Sequence, residues 1–245
     1  MKTRFHHFAR ALMLALGTLG MLTATLSASA ASVRAAPTTT WIDNFTNPAI
    51  DPRWSWVRQD ATHWSLSTRP GFLRITLQRG VINSGTNKNM LVQPAPVGDF
   101  EIQTRVIFTP TENIQRAGLV IYQDNTNFLL LSRAFCAWCV GNGIYFDQVV
   151  QNQYIGSNFG LTTAVPGEAY LRVQRLGTAY AAYASTNGVD WTFLGTHTVS
   201  SAFVPSKIGL MVDDADFGTG EIPADFDFFR LDDSTHYLYL PLVIK

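Results

Sequence analysis

Between Asp99 and Phe108 the chain reads DFEIQTRVIF, with Phe100, Ile102, Thr104, Val106 and Phe108 on one parity and Glu101, Gln103 and Arg105 on the other. Side chains of an extended chain alternate between two faces, so this pattern predicts a half-buried antiparallel strand. The segments AGLVIYQ, NFLLLSR, GIYFDQVV, YLRVQRLG, AYAAYAS, KIGLMV and DFDFFRL read the same way, and QDNTN, STNGVD and RLG supply turns between them. Beyond the N-terminal segment there is no sustained stripe of 3.6-residue period. The pattern therefore predicts two packed antiparallel sheets whose inner faces interdigitate. Leu119, Ile121, Leu129, Leu131, Leu171, Val173, Ile208 and Leu210 are expected inside.

The first thirty residues follow a different rule. Lys2, Arg4 and Arg10 precede an apolar run from about Ala11 to Leu26, which ends in Ala28-Ser29-Ala30. A membrane span needs roughly 20 apolar residues, whereas this run is shorter and is interrupted by Gly17, Thr18 and Gly20. It reads as a secretory signal peptide cleaved after Ala30, with no membrane span in the mature chain and an extracellular destination. Residues 31–40 form a Pro/Thr linker, 41–232 one β-domain, and 233–245 a C-terminal tail. The tail, THYLYLPLVIK from Thr235, reads either as a surface or sorting tag, giving association with the cell surface, or as an edge strand that Pro241 blunts.

Composition narrows the partners. Loss of residues 1–30 removes three cations and no acid, so the formal charge moves from 0 to −3. Such a surface offers nucleic acid nothing. Charged residues make up 15% of the chain and aromatics 12%, which suits an extracellular β-rich protein meeting neutral polysaccharide or glycan better than polyanions.

Five motifs in order carry a family resemblance: DNFTNPAIDPRWSWVRQDATHWSLSTRPGFLRI, NMLVQPAPVGDFEIQTRVIF, QRAGLVIYQDNTNFLLLSR, YLRVQRLGTAYAAYASTNGVDWTFLG and KIGLMV followed by ADFDFFRL. Together they resemble the concanavalin A-like domain at the C-terminus of family 43 β-xylosidases and the related DUF1349 proteins, over about Trp41 to Leu231. The resemblance implies a jelly-roll β-sandwich, a scaffold that hosts lectins, glucanases and structural modules alike. In those xylosidases the domain packs against a propeller catalytic domain.

Cys136 and Cys139, in FCAWCVGNG, are the only cysteines. A redox pair calls for a helix N-terminus that lowers the thiol pKa, but this pair follows a strand and precedes a hairpin. Zinc calls for four ligands, and His6, His7, His63, His197 and His236 give no partnering spacing. The pair thus reads as a local disulfide of roughly 2 kcal/mol, which shapes a loop and presents Trp138.

Catalysis finds less support. Retaining glucanases on this scaffold set two carboxylates about 5 Å apart through an E-x-D-x-x-E pattern, whereas Glu101, Glu112, Glu168 and Glu221 stand apart. No catalytic residue is assigned, and glycoside hydrolase ranks behind both a carbohydrate-binding module and a structural or interaction module. The acidic stretch DDADFGTGEIPADFD, Asp213 to Asp227, reads as a solvated loop in which Asp227 bonds backbone. No cofactor or metal ligand is assigned. Calcium at that stretch or near Asp43 is left open, without a D-x-D-x-D-G loop to hold it. The candidate sugar site comprises Trp138 or Trp56 as stacking platform with Arg105, Tyr122 and Arg133 as polar contacts, these polar residues lying opposite the core side of their strands or at strand ends. Trp191, after the STNG turn, is expected at the core edge.

Overall fold

The computed structural model describes residues 38–156, 159–162, 167–214 and 220–234, so the expected signal peptide, most of the expected linker and the tail from Thr235 lie outside the described residues. Among the described residues sixteen strands follow one another: β1 Thr38–Asp43, β2 Ser55–Val57, β3 Trp64–Ser65, β4 Leu73–Thr76, β5 Met90–Pro94, β6 Asp99–Ile107, β7 Gln115–Asp124 and β8 Asn127–Cys136, then β9 Gly141–Val150, β10 Gln153–Tyr154, β11 Phe159–Thr162, β12 Glu168–Leu176, β13 Ala179–Ser185, β14 Thr192–Thr198, β15 Lys207–Asp214 and β16 Pro223–Ser234. A single 3-10 turn at Ala61–His63 is the only helical element among the described residues.

They form two antiparallel sheets. Sheet 1 runs β14-β13-β12-β6-β16-β4-β3 with β1 on β16, and sheet 2 runs β10-β9-β8-β7-β15-β5-β2 with β11 on β9. Chain neighbours β6 and β7 lie in different sheets, as the crossovers of a jelly roll require. This is the two-sheet sandwich expected from the alternation.

In β6 burial alternates strictly, with Phe100, Ile102, Thr104 and Val106 inside. The eight residues expected in the core are all fully buried in one cluster between the sheets. The middle of sheet 2 departs from simple alternation. Nearly every residue of β7, β8 and β9 is buried, on both faces. The physical reason is that Val120, Leu130, Val149 and Met211 turn a second apolar surface outward. Ile82, from the loop after β4, packs onto that surface together with Met90, Val92 and Phe128. Gly80 holds the loop against the end of β15 through a two-bond bridge with Asp214, at 3.2 and 2.9 Å. Its φ of 140° and a clash of any Cβ with the Thr86 carbonyl at 2.5 Å admit only glycine there.

Candidate functional site

The loop bearing Ile82 covers part of the outer face of sheet 2, and the face also carries a pocket of ≈ 530 Å³. That lies within the range of about 300–1,000 Å³ typical of small-ligand sites. Alternation builds the pocket. Ala117 and Leu119 enter the core, so Arg116 points outward, while Ala134 on β8 and Tyr145 and Asp147 on β9 do the same. The register places Arg116 opposite Asp213 of β15.

Arg116 Nε donates to Asp213 Oδ1 at 2.7 Å and Nη2 to Oδ2 at 2.8 Å, a two-pronged pair buried on both sides. Its Nη1 donates to the Tyr154 hydroxyl at 2.8 Å. Burial opposes the guanidinium charge, but Asp213, Tyr154 and Asp147 around it more than offset that and hold its pKa well above the ordinary value. Asp147 is treated differently by the fold. It lines the pocket at 8% exposure, and its one polar partner among the described residues is Arg116 Nη1 at 3.8 Å, beyond hydrogen-bond range. Burial pushes its carboxyl up to about 6, with Asp213 adding to the rise and Arg116 opposing it.

The remaining wall is the loop closed by the Cys136–Cys139 disulfide. Cys139 N donates to Cys136 O at 3.2 Å and Ala137 N to Asn113 Oδ1 at 2.7 Å, which pins the loop to the turn before β7. Trp138 rides on that staple and is 74% exposed at the pocket rim. Tyr145 lines the wall and donates its hydroxyl to Gly141 O at 2.6 Å. The result is a concavity with aromatic walls, one partly open carboxylate, and a cation that is already paired. Such a surface stacks against the flat side of a ring and accepts hydrogen bonds from hydroxyls.

Residues 42–232 match the family model described as the β-xylosidase C-terminal concanavalin A-like domain. The chain belongs to that family. A xylosidase/arabinosidase of Butyrivibrio fibrisolvens is 31% identical over 88 residues, and a putative β-xylosidase of Escherichia coli K12 is 32% identical over 90, each match covering 36% of this chain and 17% of the relative. Among solved structures, the family 43 protein BlXynB of Bacillus licheniformis superposes with a TM-score of 0.69 at 21% identity, over 78% of this chain and 38% of that one. A β-glucanase of the same species superposes with a TM-score of 0.54 at 12% identity, over 78% of this chain and 97% of that one. The chain thus spans a minor part of the xylosidases it matches.

Within this β-xylosidase C-terminal domain the five residues expected to form a sugar site do not gather. Trp138 alone lines the pocket. Tyr122 is buried on the same sheet face, six residues along β7 from Arg116 or about 20 Å at strand rise, and donates to Asn125 Oδ1 at 2.8 Å. Arg105 sits on sheet 1, where it donates to Glu168 at 2.8 Å and Asp227 at 2.9 Å. Arg133 was expected on a ligand-facing surface, but it has the parity of Leu129 and Leu131 and is 1% exposed. Its Nη1 donates to the Ala134 and Gly143 carbonyls at 2.8 and 3.1 Å, so it closes the end of the sandwich. Trp56 does not line the pocket: it is half-buried against the main core with its ring 4.9 Å from that of Trp64.

Three further expectations are corrected in the same domain. Asp213 is a fully buried strand residue rather than part of a solvated loop, because Arg116 neutralises it. Asp227 pairs with Arg105 instead of backbone. Trp191 lies over the Arg172 guanidinium at 4.3 Å, on the sheet-1 face that the parity of Leu171 and Val173 leaves outside the core. The sequence pattern alone does not single out Arg116, Tyr145, Asp147 or Tyr154. Arg116 and Asp147 carry one local signal, charge at the outward parity of strongly apolar strands, and the two tyrosines carry none.

Proposed function

We propose that this domain is a secreted, non-catalytic carbohydrate-binding module whose pocket beside the Cys136–Cys139 loop holds a chain end or branch of a neutral polysaccharide. The observation that carries the reading is the pocket itself, where exposed Trp138 faces a concavity containing the carboxylate of Asp147. One sugar ring lies on the indole while its hydroxyls donate to Asp147 and exchange bonds with the Tyr154 hydroxyl. Stacking on one aromatic adds on the order of 1 kcal/mol beyond area burial, so affinity falls in the micromolar to millimolar range typical of shallow sites. The names of the xylosidase relatives make xylose-containing glycans the first to test. A local disulfide suits an oxidising compartment, which supports the secreted reading.

Binding is favoured over hydrolysis by the state of the second carboxylate. Most glycosidases use two carboxyl groups that both reach the scissile bond, and Asp213 is fully buried with both oxygens on Arg116. An interaction module is the second reading, favoured by Phe193, exposed on sheet 1 beside Tyr183 at 5.5 Å. Affinity electrophoresis of the protein in gels containing arabinoxylan, xyloglucan or mixed-linkage glucan, with a reducing-sugar assay in parallel, separates the three. Retardation that Trp138→Ala weakens, without sugar release, is expected. Sugar release would make the domain a hydrolase, and no retardation in any gel would favour the interaction module.

A further inference from the structure

We propose that Asp147 is the specificity determinant of the pocket, accepting two hydroxyls of a neutral sugar and turning away the same sugar when it carries a carboxylate. This rests on the glycan-binding reading and goes beyond it by naming the class of sugar refused.

The charges are few and their pairing is explicit. Arg116 and Asp213 cancel, since the guanidinium already spends Nε and Nη2 on Asp213 and Nη1 on Tyr154. Every other described residue lining the pocket apart from Asp147 is uncharged. With Asp147 ionised, Arg116, Asp213 and Asp147 together carry one net negative charge at the pocket wall, and among the described residues that line the pocket no cation lacks a carboxylate partner. Asp147 is nine-tenths buried, lines the cavity, and has no hydrogen bond from any described residue, its nearest polar partner standing 3.8 Å away. A carboxylate accepts at about four lone-pair positions, so two adjacent hydroxyls of a pyranose fit it as paired donors, and bonds to an ionised acceptor are the stronger kind. A sugar carboxylate brought into the same low-dielectric space meets the like charge of Asp147 at short range, where the one described lining cation, Arg116, is already neutralised by Asp213. The pocket accordingly takes unsubstituted neutral residues and refuses uronic acids.

The test compares two ligands of one ring shape, methyl β-glucopyranoside and methyl β-glucopyranosiduronic acid, with methyl β-xylopyranoside as a ligand lacking C6. Binding to the protein is followed by NMR titration at about pH 7.5, where Asp147 is ionised. We expect both neutral glycosides to bind and the glucuronoside to be weaker by about tenfold or more. In Asp147→Asn the neutral glycosides weaken and the gap between glucoside and glucuronoside closes to within about threefold. Equal or tighter binding of the glucuronoside by the unmodified protein overturns the proposal and leaves the glycan reading standing, as does a gap that survives in the variant. Failure of all three glycosides, together with failure of the polysaccharide gels, overturns both. The comparison on the unmodified protein decides the matter even if the variant does not fold.

Discussion

Replacing Asp147 by Asn keeps the side chain's shape and removes a charge that the fold holds in an unfavourable place. Burial raises the carboxyl from 3.8 to about 6. One pKa unit corresponds to about 1.36 kcal/mol, so the two-unit rise represents a destabilisation on the order of 3 kcal/mol once Asp147 is ionised. The direction follows from which state holds the proton more tightly. The folded protein does, so stability from this group is fully present below about pH 4 and is lost as pH climbs from there through about 6. Asn cannot ionise and escapes the loss. Arg116 keeps its two-pronged partner Asp213, so no buried charge is orphaned by the change. Asp147→Asn is therefore expected to be more stable than the unmodified protein by about 1–3 kcal/mol near pH 7.5 and no different near pH 4, read by urea or thermal unfolding at both pH values. In a domain of this size each kcal/mol moves the melting temperature by about 2–4 °C. A variant that is equally or less stable at the higher pH, or whose advantage is the same at both, would refute the electrostatic reasoning. A gain in stability accompanied by a loss of sugar binding is the pattern of a residue held for function at the expense of the fold.

Trp138→Ala is expected to weaken retention in polysaccharide gels several-fold while leaving the melting temperature nearly unchanged, because the ring is 74% exposed. Trp56→Ala should do the reverse, with stability falling on the order of 2 kcal/mol in urea unfolding and gel retention unaltered, since its ring is packed on Trp64 and the core. Arg116→Met should be the most damaging change, with a loss of about 3–5 kcal/mol by the same measurement, because it leaves Asp213 charged, buried and unpaired.

The sandwich was legible in the sequence because its evidence is local. In DFEIQTRVIF the parity of five residues dictates which face is buried, and the structure follows it residue by residue. The disulfide was legible for a similar reason, since Cys136 and Cys139 lie three residues apart. The pocket was not. Arg116 and Asp213 are 97 residues apart, and Asp147 lies on a third strand. Only the strand order β9-β8-β7-β15 and its register bring them together. Arg133 shows the limit from the other side: its core parity predicts burial, but charge argued for exposure, and the carbonyls of Ala134 and Gly143 decide in favour of burial. Trp56 sits in a strand of three residues, too short for alternation to mark its inner face.

A neutral sugar is expected to occupy the pocket between Trp138 and Asp147. A crystal structure of the protein soaked in methyl β-xylopyranoside or a short xylo-oligosaccharide tests it most directly. The expected density is a pyranose ring stacked on the Trp138 indole with hydroxyls within hydrogen-bond range of Asp147. A sugar bound elsewhere, with this pocket holding only water at saturating ligand, would contradict it.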